Sequence, residues 1–200
     1  MLVTAPRDDL CLGFANTLSW RGSANPAEEL EDFDKLATWL ETSAGFAAGG
    51  LKGVRAAAHG RRKDKAAQLF AEAIALRETI YRLFSALAAG HAVSDGDFAA
   101  LRKALAAAPQ RTELVRADGR YGWRVGTLRL AAPDLLASVL WSAADLMLTA
   151  DRRRVRQCAN EKCLWLFVDN SKTGTRRWCD MGSCGNRAKA QRHYHRQKEA

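Results

Sequence analysis

Apolar residues recur at three- and four-residue steps through most of the first 150 positions, the period of helices that each bury one face. Leu10, Phe14 and Leu18 predict a short helix near the start. The run "PAEELEDFDKLATWLE", Pro26 to Glu41, sets Leu30, Phe33, Leu36, Ala37 and Leu40 on one stripe, with acids near its beginning where the helix dipole favours them. The Gly- and Ala-rich stretch that follows, "TSAGFAAGGLKGVRAAAHGRRK", predicts a loop or a weak, broken helix. Residues 64–89 predict the longest helix, with Leu69, Ala73, Leu76, Ile80, Leu83, Phe84 and Leu87 inward and Gly90 as its stop. Ser94, three residues ahead of Asp97, is a cap-like start for a helix that ends at Pro109. Residues 111–130 lose the helical period, and the Asp118-Gly119 turn between β-prone runs predicts a hairpin. Pro133 then opens a helix that is apolar to about Ala150 and basic through Arg154.

Charge divides the chain where that helix changes character. Residues 1–150 carry 18 Lys and Arg against 17 Asp and Glu; residues 151–200 carry 13 against 5. Nearly all of the formal +9 therefore lies in the last quarter, which points to a polyanion-binding end, nucleic acid first and an acidic membrane surface second. A two-part organisation is expected, 1–150 helical and 151–200 a small separate module. The start of the chain lacks the basic n-region of a signal peptide. No stretch approaches the roughly 20 apolar residues a membrane span requires. The expectation is a soluble, cytoplasmic protein working at the nucleoid, with no membrane partner.

Four of the five cysteines fall in residues 158–184, as the pairs Cys158/Cys163 and Cys179/Cys184 with four residues inside each pair. Thiolates bind Zn²⁺ tetrahedrally, and a closed structural site needs four of them. Two tight turns, each presenting two sulfurs, supply that set from one local segment. Zn²⁺ is the expected cofactor, and a disulfide pair in a redox switch is the alternative. Between the pairs, "LWLFV" reads as a strand, "DNSKTGT" as a turn and "RRW" as the return, a hairpin inside the excursion. After Cys184 the chain has good helix formers and no proline. The fold class expected is mainly α: a helical domain with one inserted β-hairpin, then a small zinc ribbon or treble-clef-like finger ending in a basic helix.

On that last helix Asn186, Lys189, His193 and Arg196 share a face, Arg192 flanks it, and Arg187 lies to one side. Arg176 and Arg177 add charge nearby. Arginine suits phosphate oxygens and guanine edges, and asparagine can read adenine, so double-stranded DNA is the expected partner. A single small finger also suggests a homodimer. The other class of function compatible with these residues is a zinc-stabilised module that contacts an acidic protein or RNA.

These residues have a family likeness. "WLF-D-S", "RRWC-M" and "CGNR-K", within "CLWLFVDNSKTGTRRWCDMGSCGNRAKAQRHYHRQ", closely resemble the CGNR zinc-finger family, over about residues 150–197. "LCLGFANTLSWRG" and "ALRETIYRLFSALAAG" are similar to the ABATE domain that accompanies that finger, over most of 8–148. The resemblance implies a bacterial transcription regulator with a helical, sensor-like domain, and Cys158, Cys163, Cys179 and Cys184 as metal ligands. Family members often carry a proline and glycines around the first cysteine pair, where this chain has "CANEKC".

Within the helical part, Asn16, Trp20, Arg77 and Tyr81 are the candidates for lining a small-molecule effector pocket. Each also has a structural reading: Asn16 satisfying nearby backbone, Trp20 closing the core, Arg77 pairing with an acid. No Gly-rich phosphate loop, metal-binding His pair or nucleophile constellation is present, so no enzymatic activity is expected.

Overall fold

The computed structural model describes residues 2–4, 9–46, 49–60, 63–117, 119–126 and 128–198. A helical scaffold fills the first three quarters. It comprises α1 (Leu10–Ala15), α2 (Phe33–Ser43), α3 (Lys52–His59), α4 (Lys63–Ala88), α5 (Asp95–Ala107), α6 (Ala132–Leu135) and α7 (Ala137–Leu148). Helix α4 is the central element, packed against α1, α3 and α5, and its buried face carries Leu69, Ala73, Ile80, Leu83 and Phe84. It stops at Gly90, whose φ of 73° is open to glycine at no steric cost and lets the amide of His91 reach back to Ala86 O. Ser94 caps α5 as its sequence predicts, accepting from the amide of Asp97 at 3.1 Å.

The predicted hairpin is β4 (Leu114–Ala117) with β5 (Arg120–Arg124), and β1 (Leu2–Thr4) adds a third strand on the far side of β5, opposing Val3 to Trp123. Asp118 of the turn lies outside the described residues. Among those residues no helix is long and apolar enough to cross a membrane.

Three elements differ from the sequence pattern. Helix α1 ends at Ala15, and Leu18 instead starts β2 (Leu18–Ser19), paired with β3 (Ala27–Glu28). The Thr17 hydroxyl donates to Phe14 O at 2.7 Å, closing the helix end. Helix α2 starts at Phe33 rather than near Pro26, because Asp32 accepts from the amide of Lys35 at 2.8 Å and caps it there. Leu30 is still buried, from an extended approach. The helix expected from Pro133 to Arg154 is broken at Leu136 and again at Thr149, which is extended at φ −83°, ψ 165°. The basic run becomes a 3₁₀ turn, Ala150–Arg154, leading into β6 (Val155–Gln157).

The last 50 residues form the finger: β6 pairs antiparallel with β7 (Leu166–Val168), a wide turn spans Met181–Gly185, and α8 covers Asn186–Lys198. The hairpin here is not the one expected between the cysteine pairs. It lies around the first pair, with Cys158 and Cys163 in the loop between its strands. "RRW" returns as a single anchored strand-like segment, with Ala159 donating to Arg177 O at 2.8 Å. The finger also does not stand apart from the helices. Val155 and Leu166, both fully buried, belong to the same apolar cluster as Leu12, Phe14, Leu36 and Phe84.

Candidate metal centre and basic face

The first cysteine pair is shaped by Asn160. Its carbonyl accepts from Cys163 at 2.8 Å and Leu164 at 3.2 Å, and its side-chain oxygen accepts from the Lys162 amide at 3.1 Å. Cys158 donates its amide to Trp165 O at 2.8 Å, closing the loop. Leu164 adopts φ 58° to turn the chain out of it into β7. The second pair is held by Asp180, whose carboxylate accepts from Ser183 at 2.7 Å and whose carbonyl accepts from Gly185 at 3.0 Å. A Cβ on Gly185 would lie 2.8 Å from the Met181 sulfur, so a larger residue after Cys184 would push the exposed end of the Met181 side chain aside.

All four sulfurs lie within 4.8 Å of one another, and Cys163 Sγ is 3.7 Å from Cys179 Sγ. A tetrahedron with Zn–S bonds of about 2.3 Å has S···S edges of about 3.8 Å, whereas a disulfide is about 2.05 Å. The sulfurs are therefore at ligand spacing, and all five cysteines are free thiols. Their ionisation argues the same way. Burial pushes the Cys163 thiol up to about 12, and burial together with the neighbouring sulfur charge of Cys158 raises Cys179. Burial opposes ionisation at Cys184 too, but hydrogen bonds from Cys163 and the Asn160 amide hold it below the ordinary thiol value. Four thiolates this close need a cation among them, and Zn²⁺ satisfies the donor set, number and spacing. The four-cysteine cluster is thus compatible with a structural zinc site.

The finger has little apolar core of its own. Phe167 joins three of the cysteines there, with Trp20, Trp178 and Cys179 packed around them. Asp169, a turn residue in the sequence pattern and the aspartate of the "WLF-D-S" run, is a further support. Its carboxylate accepts from the amides of Ser171 and Arg176, both at 2.9 Å, and the Ser171 hydroxyl first, then these amides, hold the acid down at about 2 against the cost of burial.

The predicted basic residues separate into two groups. The Arg176 guanidinium lies 4.6 Å from the centre of the Phe167 ring and donates to Trp178 O and Cys179 O, so it braces the second cysteine pair. Arg177, Asn186, Arg187 and Lys189 are exposed or half-exposed around that pair and the start of α8. Arg177 lies over Trp178, and Asn186 donates to Gly182 O at 3.1 Å. The backbone places Arg192, His193 and Arg196 on α8, but their side chains lie outside the described part of the structure.

The four residues considered for an effector pocket all meet the finger or the buried ion pairs beneath it. Asn16 accepts from Leu166 N at 3.0 Å and donates to Leu166 O at 2.8 Å, acting as a further strand on the edge of β7. Tyr81 donates to Leu164 O at 3.2 Å and accepts from Gln157, which also reaches Ser85. Arg77 is buried and paired through two hydrogen bonds with Glu28, at 2.6 and 2.8 Å, and contacts Glu78 and Thr17. Arg21 lies between Glu78 and the Tyr81 ring. Trp20, at φ 55°, packs on the metal cluster and carries the Arg187 guanidinium 4.5 Å from its ring centre. The only non-glycine residues with positive φ among the described ones, Trp20 and Leu164, thus lie on the two sides of one junction. Such a conformation costs about 1–2 kcal/mol for a residue with a side chain, and the surrounding contacts must offset it. Gly22 makes the closest approach: a Cβ there would fall 1.8 Å from Glu161 O. Neither Gly22 nor Gln157 carries a sequence signal of this role, since each depends on residues distant in the chain.

Two family models match the chain. Residues 8–150 match the ABATE family, described as "Putative stress-induced transcription regulator", and residues 154–197 match the CGNR zinc finger. No curated protein matches it. Both families are regulatory and non-catalytic. With a thiol quartet at zinc spacing behind the matched finger, the chain belongs to the ABATE family and carries a CGNR zinc finger after that domain.

Proposed function

We propose that this protein is a transcription regulator that binds double-stranded DNA through the zinc finger of residues 151–200. Residues 1–150 serve as a small-molecule sensor or dimerisation domain. The observation that carries this reading is the placement of charge: 13 basic against 5 acidic residues on the module that the metal holds together. Arg177, Arg187 and Lys189 stand around the second cysteine pair and the start of α8, where phosphate contacts fix a helix on a duplex. Arg192, His193 and Arg196 continue the face along the helix, and Asn186 begins it. Arg176 contributes charge while supporting the cysteines. The family description supports the regulatory part, and the protein would act in the cytoplasm at the nucleoid.

The test is metal content of the purified protein together with duplex binding over a salt series, before and after chelation. The expected result is one equivalent of zinc, with log K falling linearly with log salt by about 0.9 per phosphate neutralised, and loss of binding on chelation. Zinc-loaded protein that binds no duplex at low salt overturns the reading and moves the basic face to an acidic protein or RNA. Reversible zinc release on mild oxidation would then assign the thiols to a redox switch.

A further inference from the structure

A cleft of about 540 Å³ opens at the junction between the helical part and the finger, beside the metal centre. Its walls are Trp20 from the helical part and Asn160, Lys162, Trp178 and Arg187 from the finger. That volume lies in the range of small-ligand sites, and junctions between domains are where such sites gather.

The polar groups in the cleft are ready for an anion. The Arg187 guanidinium lies over Trp20, its central carbon 4.5 Å from the ring centre. Such a cation–π contact holds the cation in place without using its N–H donors. Those N–H groups make no hydrogen bond among the described residues, and the Lys162 ammonium has no ion pair there. The contact thus positions a multiple N–H donor without occupying it, and a guanidinium with free donors receives a carboxylate. Lys162 and Arg187 supply two positive charges and Glu161 one negative, so the lining matches a single negative charge better than two. The half-buried Trp178 indole supplies a flat apolar wall, which favours an aromatic ring over an aliphatic chain.

We infer that this cleft binds a small planar aromatic monoanion, an aromatic carboxylate. Its carboxylate pairs with the edge of Arg187 and the ammonium of Lys162, and its ring lies against Trp178. The three groups it touches come from the finger, and Arg187 among them rests on Trp20 of the helical part, so the ligand bears on the junction through that pair. The site stands without DNA. Only one consequence rests on the duplex-binding reading: a bound carboxylate takes Arg187 away from a phosphate and so competes with DNA.

Calorimetric titration of the zinc-loaded full chain with benzoate, benzamide, acetate and phenyl phosphate, in the absence of DNA, tests this. Saturable benzoate binding is expected, with benzamide and acetate each at least about tenfold weaker, since each lacks one of the two recognised groups. Arg187→Gln should weaken benzoate about tenfold or more at unchanged zinc content, and Trp178→Leu, measured on protein saturated with zinc, should weaken it as much. Lys162→Gln, on an exposed loop position that no fold contact requires, should weaken it less. No saturable benzoate binding, equal binding of benzamide, or an Arg187→Gln protein that binds benzoate as the parent does overturns the assignment. Tighter binding of phenyl phosphate than of benzoate overturns the monoanion. Failure of duplex binding leaves each of these outcomes unaffected.

Discussion

Asn16 offers a sharp test of how the finger is joined to the helices. Its carboxamide makes two hydrogen bonds to one backbone residue, accepting from Leu166 N at 3.0 Å and donating to Leu166 O at 2.8 Å. Leu166 is 1% exposed. Asn16→Ala removes both partners and leaves a buried backbone donor and acceptor without replacement. Each such group costs about 1–3 kcal/mol, so the expected loss is about 4 kcal/mol, with a range of about 2–6. For a chain of this length a loss of about 4 kcal/mol corresponds to a fall in Tm of about 8–16 °C. Asn16→Asp separates hydrogen bonding from packing: it is isosteric, keeps an acceptor for Leu166 N and loses the donor for Leu166 O. It should lose about half as much or more. The assay is denaturant unfolding of zinc-saturated protein, with zinc content checked for each variant and amide exchange at Leu166 followed by NMR. Faster exchange at Leu166 should accompany the stability loss. A loss below about 1 kcal/mol for Asn16→Ala, or an Asn16→Asp protein as stable as the parent, would refute the idea that this residue acts as a strand edge.

Other substitutions probe separate parts of the same junction. Gly22→Ala places a Cβ 1.8 Å from Glu161 O, and backbone on both sides leaves no side chain to yield, so it should cost more than the about 1–3 kcal/mol of ordinary overpacking; equal stability of this variant by denaturant unfolding would show that the loop is not docked. Glu78 is opposed in its ionisation by burial, but Arg21 and then Arg77 carry its acid below the ordinary value. The advantage of the parent over Glu78→Gln should therefore be full above about pH 4.3 and shrink as pH falls through the lower folded value; a difference that is flat with pH in parallel unfolding curves would contradict that. Arg176→Gln should speed zinc loss to a chelator, because its guanidinium braces Cys179, whereas Lys189→Gln should leave zinc retention unchanged and reduce the salt slope of duplex binding by about one.

Much of the scaffold is legible in the sequence because its signals are local. The 26 residues of α4 repeat an apolar face turn after turn, Gly90 ends it, and Ser94 opens α5 with a cap that needs only Asp97. The clustering of the four cysteines at a spacing compatible with zinc is legible for the same reason: sulfur chemistry and spacing restrict four cysteines in 27 residues to few arrangements. The misplacements arise where a distant partner decides. Leu18 has the helical period of α1, but Glu28 is needed beside Arg77, and the two-residue ladder of β2 and β3 carries it there. "LWLFV" is the strand its composition indicates, but its partner is β6, which in the sequence continues the basic tail of a helix. That tail leaves helical geometry at Thr149, and Val155 enters a core that includes Phe84 of α4 and, more than a hundred positions earlier, Phe14 and Leu36.

Asn16, Trp20, Arg77 and Tyr81 show how polar residues inside an apolar helical pattern should be weighed. Such residues must meet something polar, and from the sequence a ligand and a second domain are equally good partners. Here the second domain is met first. Asn16 and Tyr81 bond to β7 and its approach, Trp20 covers the metal cluster, and Arg77 neutralises Glu28 beneath them. The finger, which has few apolar residues of its own, thereby borrows the core of the helical part through Val155 and Leu166. Zinc binding and folding of such a small module are one free energy. Because the module shares buried surface with the helices, part of that free energy reaches α1 and α4. An event at either end, metal loss in the finger or a ligand at the junction, therefore changes the stability of the other without any separate relay between them.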